Sequence, residues 1–145
     1  MSLFRSWLVC FGLFSSIFSQ AQILNTCLLD QYVDQFNEND EELYTQYVSN
    51  AESKEFLRKN IPLFECPDET IEEVYYFRWW TYRKHIKQTP EGFIITEFLP
   101  NVSWAGKYNG ICCPAWFHFR EGRWIHNKVY LIGCPVRCTN FSSLS

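Results

Sequence analysis

This chain has no large field of charge of one sign. Its 145 residues carry 13 basic and 16 acidic side chains, a formal net charge of -3. That balance leaves no basic surface broad enough to track a phosphate backbone, so nucleic acid is not an expected partner. Also missing are the signatures of several common chemistries: a Walker phosphate loop, a dinucleotide-binding glycine pattern, HExxH, GxSxG and CxxC. No internal repeat is visible. A comfortable bilayer span is lacking too, because the apolar stretch from Trp7 to Phe18 is short. Nothing in the sequence calls for a cofactor.

What is present is apolar and aromatic. Apolar residues make up 47% of the chain and aromatics 19%, which excludes a disordered tail. The length suggests at most one domain. Residues 1 to 21 read as a signal peptide: Arg5 supplies the positive start, Trp7 to Phe18 the short apolar core, and Ser19 and Ala21 the small residues before a cut at Gln22. The expected product is secreted, with no stable membrane span after cleavage; an uncleaved signal anchor is the plainer alternative.

Cleavage would remove Cys10 and leave Cys27, Cys66, Cys112, Cys113, Cys134 and Cys138. In an oxidising compartment this set reads as structural disulfides or unpaired thiols, with many possible pairings. Cys134 and Cys138 have ligand-like spacing, but no second matching pair completes a zinc site, so no metal is expected. Asn101-Val102-Ser103 and Asn140-Phe141-Ser142 are glycosylation sequons.

Six of the eight residues from Tyr75 to Tyr82 are aromatic, inside a segment that otherwise reads as one helix. Ile71, Tyr75, Trp79, Tyr82 and Ile86 share one face, and Tyr76, Trp80 and Arg83 another. A surface helix needs one apolar side; one that is apolar nearly all round must be enclosed. The pattern therefore predicts an enclosure larger than this chain encodes. Asp68, or Thr70 with Glu73, is placed to cap the helix start. Acidic residues crowd that end and Arg83, Lys84, His85 and Lys87 the other, which suits the helix dipole. Thr89-Pro90-Glu91-Gly92 ends the helix and turns the chain.

Elsewhere the spacing predicts a helix over 27–37, a second helical pattern through Leu43, Tyr47, Val48 and Ala51, and a third carrying Phe56 and Leu57. Phe93 to Phe98 is β-like. Asn101 to Gly110 reads as an irregular loop. Ala115 to Ile125 has Trp116, Phe119, Arg123 and Trp124 at helical spacing, weakened by Gly122. No clear period marks the tail after Asn127.

Two clusters stand out as candidate chemistry. Trp79-Trp80-x-x-Arg83 combines flat aromatic faces, which suit the C–H faces of sugars, with a rigid fork of donors. Within it Trp79 is the core residue by spacing, while Trp80 and Arg83 are candidates for a cavity wall. The second cluster is Glu97-Phe98-Leu99-Pro100 with Trp104-Ala105-Gly106-Lys107-Tyr108-Asn109. Glu97 ends an apolar run, where a carboxylate needs a partner, and Lys107 is placed to supply one. Ordinary packing is the alternative for both clusters. The histidines say less: His85 reads as solvated, and His118 and His126 have no acidic or cysteine partner near them in sequence.

The stretches from Ile61 to Asp68 and from Tyr76 to Ile86 resemble the start of a glycoside-hydrolase-like domain. Ile95 to Pro100, Val102 to Asn109 and Glu121-Gly122-Arg123-Trp124 extend the likeness. The family is similar to the six-hairpin glycosidases, in the branch near the mannosylglycerate-hydrolase-like domains, and the Arg-Trp-Trp motif is its most specific element. The resemblance implies a mainly α fold, a partial (α/α)6 barrel in which inner helices face both an outer ring and a sugar cavity. It also implies that Trp80, Arg83, Glu97, Trp104, Lys107 and Asn109 lie near bound carbohydrate. The domain would cover 22–127, with an off-family tail at 128–145. Such enzymes use two carboxylates that flank the scissile bond. The family's pair is expected in later hairpins, so no catalytic residue is assigned here. The chain thus reads as a secreted N-terminal piece of a glycosidase-like protein, itself inactive. A self-contained, disulfide-stabilised module that binds carbohydrate or protein is the alternative.

Overall fold

The computed structural model describes residues 24–131 apart from 107 and 112. The signal-peptide reading, Lys107, Cys112, Cys134, Cys138, the second sequon and all of the tail after Leu131 lie outside the described residues. Those described are mainly helical. Helix α1 is Thr26–Glu38, α2 Ser53–Asn60, α3 Glu69–Lys84 and α4 Ala115–Gly122; strands β1 (Ile86–Thr89) and β2 (Gly92–Ile95) form an antiparallel hairpin, and Lys128–Leu131 is a 3-10 turn. No described helix is long and apolar enough to cross a membrane.

Local chemistry sets most of these boundaries. Asn25 caps α1, its side-chain oxygen accepting the Cys27 amide at 2.9 Å. Asp68 caps α3 through the amides of Thr70 and Ile71. At the other end α3 stops at Lys84, earlier than the aromatic pattern suggests. His85 leaves the helix because its carbonyl accepts the Thr96 amide at 2.9 Å, and from Ile86 the chain is strand. Ile86 thus belongs to β1, not to the helical stripe. Thr89 pairs with Gly92 across a two-residue turn of Pro90 and Glu91. Gly92 has φ +122°, a conformation that glycine alone adopts freely.

The second expected helical pattern, through Leu43, Tyr47, Val48 and Ala51, does not form. That segment spends its polar groups on tertiary partners instead. Glu42, at φ 48°, accepts the Asn50 amide with its side chain, and the Tyr47 amide donates to Ile86 at 3.2 Å. These bonds hold an extended path along β1.

The core joins α1, α2, α3, the hairpin and the segment after α4. Leu29, Val33, Leu57, Ile61, Tyr76, Ile86 and Ile125 are fully or almost fully buried. The buried stripe of α3 is Glu72, Tyr76, Trp79, Trp80 and Arg83, at helical spacing. Tyr32 stacks on Tyr76 at 5.4 Å, and Phe36 meets Trp80 at 5.8 Å. The chain therefore covers more of this helix than its pattern led us to expect. The coverage is still partial. Ile71, expected on the main stripe, is 53% exposed, and Val74 and Phe77 stand beside it in solvent. On α4 and just beyond it, Trp116, Phe117 and Trp124 are each more than half exposed.

Gly122 sits where two elements meet without room for a side chain. A methyl group there would collide with the Tyr82 hydroxyl and a Leu131 methyl. The glycine that weakens the helical pattern is thus what lets α4 end against α3.

Candidate functional site

Two polar clusters flank the C-terminal end of α3. One surrounds Trp80 and Arg83, both buried in the interior of the described fold. Trp80 donates its indole N–H to Asn37 Oδ1 at 2.8 Å, and its ring carries Arg83 at 5.0 Å and the Lys84 ammonium at 4.8 Å. Arg83 donates to the Val48 carbonyl at 2.9 Å and to the Asn50 side chain. Its Nε is buried without a partner among the described residues. Burial pulls the guanidinium down to about 10, opposed by the nearby Glu42 and Asp40, so it stays charged at neutral pH. Lys84 is paired with Asp40 at 2.6 Å. Burial pushes the Asp40 carboxyl up, but the bonds from Lys84 and Asn50 outweigh this and leave it below its ordinary range.

The second cluster begins just after β2. Glu97 Oε2 lies 2.8 Å from His118 Nε2. Lys107, its expected partner by sequence, is outside the described residues, and the acidic partner that His118 lacks in sequence is Glu97. His85 joins this group from the helix end, its Nδ1 2.8 Å from the Thr96 carbonyl. His85 is partly buried, rather than solvated as its basic neighbours led us to expect. Burial lowers its imidazole below the usual range; the Thr96 carbonyl and Glu97 raise it, and His118 lowers it further.

Asn109 organises the loop that follows. It is 5% exposed and adopts φ 64°. Its Nδ2 donates to the carbonyls of Phe98 and Pro100, each at 2.6 Å, and its Oδ1 accepts the Val102 amide at 3.1 Å. One side chain thus ties both ends of the loop. Trp104, near the loop's tip, is 64% exposed and meets Phe98 edge to face at 5.0 Å. Asn101, the first sequon's acceptor, is exposed on the same loop.

Glu97, Trp104 and Asn109 are thus gathered around one loop, with His118 and His85 behind. Trp80 and Arg83 belong to the other, interior cluster. Sequence reasoning missed His118, since its signal is a contact across 21 positions. It also passed over an open cleft of about 390 Å³ beside β1, lined by Tyr44, Gln46, Tyr47, Lys87 and Gln88 among others. Of its two tyrosines, Tyr47 belongs to the helical pattern expected through Leu43, Tyr47, Val48 and Ala51, which does not form.

Among the described residues no group of three or more His, Cys, Asp or Glu side chains is arranged to hold a metal ion. Among the described residues Cys27, Cys66 and Cys113 form no disulfide with one another.

No family model matches this sequence, and no curated protein matches it. A solved structure titled sialidase is similar to it, with 44% identity and a TM-score of 0.70 over 74% of this chain. The chain spans 10% of that sialidase's length. A sialidase is a glycoside hydrolase, so the likeness gives this mainly helical chain a glycosidase-like relationship.

Proposed function

We propose that this chain is the secreted counterpart of one segment of a six-hairpin glycosidase-like protein, and that it contacts carbohydrate without cleaving it. The observation that carries the reading is the 44% identity to a sialidase, of which the matching region is only 10%. The exposed apolar side chains of α3 and α4 support it, because a helix within a larger barrel has neighbours on those faces. In this reading Glu97, Trp104 and Lys107 meet the sugar, and Asn109 holds their loop in shape. Trp80 and Arg83 act from beneath, fixing the end of α3 from which the hairpin departs. Hydrolysis needs two carboxylates across the scissile bond. The bonding partner of Glu97 is an imidazole, which leaves that pair unassigned.

The full chain, expressed in a secretory host, tests this directly. The mature protein should begin at Gln22 and lose mass on removal of N-glycans. Aryl glycosides should not turn over. Saccharide binding, followed by titration calorimetry, should weaken about tenfold in Trp104→Ala, the loss expected for an exposed stacking aromatic. Turnover that disappears in Glu97→Gln would overturn the non-catalytic assignment.

One observation favours a second reading, a self-contained binding module. Tyr76, Trp79, Trp80 and Tyr82 are at most 5% exposed within this chain alone. A monomeric protein with cooperative melting supports the module; self-association through α3 and α4 supports the segment of a larger domain.

A further inference from the structure

We infer that the outer face shared by α3 and α4 is an interface for a second copy of this chain, paired across a two-fold axis. This rests on the reading above in which α3 and α4 lack the neighbours of a larger domain, and adds what takes those neighbours' place.

The face is built from both helices. Along α3 it presents Ile71, Val74 and Phe77, and from α4 and the turn after it come Trp116, Phe117 and Trp124; each is between 45% and 68% exposed. The two rows meet at one ion pair. Arg78, one turn after Val74, donates to both carboxylate oxygens of Glu121, one turn after Phe117, at 3.0 and 2.7 Å. A bidentate pair of this kind fixes how the helices sit side by side. Behind it the Tyr82 hydroxyl donates to the His118 carbonyl at 3.3 Å. Phe77 is held as well, edge to face with Phe36 at 5.3 Å and stacked on Trp80 at 5.8 Å. The face is therefore formed before a partner arrives, which lowers the ordering cost of pairing.

Its borders carry opposite charge. Glu69 and Glu73 edge α3 on the side toward α1: burial, and then the Glu72, Glu69 and Glu73 carboxylates, raise the Tyr32 phenol above its ordinary range. On the far border Arg120 lies over the Trp116 ring at 5.9 Å and Arg123 over the Trp124 ring at 4.9 Å. None of these four charges makes an ion pair with a described residue. Across the face stand, in order, acid, the apolar row of α3, the Arg78–Glu121 seam, the apolar row of α4, and base.

That order selects the occupant. A half-turn about an axis through the seam reverses it. A second copy then lays its basic border on Glu69 and Glu73, and its α4 row on Ile71, Val74 and Phe77. The same surface meets both the apolar and the charge demand. Its area agrees. Six large side chains about half exposed present roughly 500–600 Å² per copy. Two copies together reach the roughly 1,000 Å² that a specific interface needs.

Sedimentation velocity of the full chain at low ionic strength should show a concentration-dependent dimer, weakened by added salt. Charge reversal gives the sharper readout. Glu69→Lys with Glu73→Lys makes both borders basic, and Arg120→Glu with Arg123→Glu makes both acidic. Each variant should self-associate at least about tenfold more weakly. Mixed, the two should form a one-to-one heterodimer, because both contacts then join opposite charges. That recovery, with the melting of each variant, establishes that the fold is intact. A chain that stays monomeric overturns the inference. So does a dimer indifferent to the reversals, or a pair of variants that do not recover when mixed. Saccharide titration of the same samples tests the carbohydrate reading separately: a monomer that binds sugar leaves that reading standing and removes this one.

Discussion

His118 and Glu97 meet at 2.8 Å, joining α4 to the residue two places beyond β2. The two residues are 21 positions apart, so the bond ties the segment after the hairpin to α4. Both side chains are partly exposed, at 22% and 31%, so solvent screens the attraction. His118→Ala should cost about 1 kcal/mol or less in urea unfolding. The same substitution should loosen α4, seen as faster amide exchange over 115–122. Unchanged exchange there would mean that the pair does not hold the helix.

Asn109 carries more. It supplies three side-chain hydrogen bonds and a left-handed backbone conformation at once. Asn109→Ala loses both and should cost about 2–4 kcal/mol. Asn109→Gly keeps the backbone freedom and loses only the bonds, so it should be the milder variant. Equal losses would show that backbone strain contributes nothing.

Gly122→Ala forces a methyl group onto the Tyr82 hydroxyl. Overpacking of this kind costs roughly 1–3 kcal/mol. Adding Tyr82→Phe removes the oxygen that collides, so the double variant should recover part of the loss. A double-mutant cycle with no coupling would place the strain elsewhere.

Arg83 is 1% exposed and lies against Trp80. Arg83→Ala empties that site and strips partners from the Val48 carbonyl and the Asn50 side chain. A loss of about 3 kcal/mol is expected, in line with removing one member of a buried polar network. Arg83→Lys should recover little, because one ammonium does not reproduce a guanidinium that spans two acceptors. Full recovery by lysine would reduce the residue's role to its charge.

Acid should destabilise the fold in two steps. The His85 imidazole is lowered in the folded state, chiefly by burial, so the unfolded chain binds its proton first. Its contribution is complete above the ordinary value of 6.5 and is lost as the pH falls below it through the folded value. The Asp40 carboxyl is also lowered, by Lys84 and Asn50 against the opposing effect of burial. Its contribution is complete above 3.8 and is lost as the pH falls further. Melting temperature measured from pH 8 to pH 3 should show both slopes. His85→Gln should flatten the first, and Asp40→Asn the second.

Much of this molecule was legible in its residues. Asp68 marks the helix start it caps, and Pro90 with Gly92 marks a turn, because these devices act within a few residues. Helical spacing likewise identified α2 from Phe56 and Leu57. The β-like run at 93–98 was found too, though its pairing ends at Ile95. The segment of Leu43, Tyr47, Val48 and Ala51 is not the helix its spacing suggests, because helical spacing over a few residues also arises by chance. Its actual path follows from bonds to Ile86, Lys84 and Thr96, which lie tens of residues away.

The sequence by itself determined that the Tyr- and Trp-rich helix needs cover, since periodicity records how much apolar surface must leave water. Only the tertiary structure decided which face is covered. Tyr76, Trp80 and Arg83 are buried because Phe36, Asn37 and Asn50 arrive from other elements, whereas Ile71 has no such neighbour among the described residues. The same holds for Glu97, whose partner His118 is fixed by where α4 docks. Burial and charge pairing depend on distance in space, and a linear pattern states only what each residue requires.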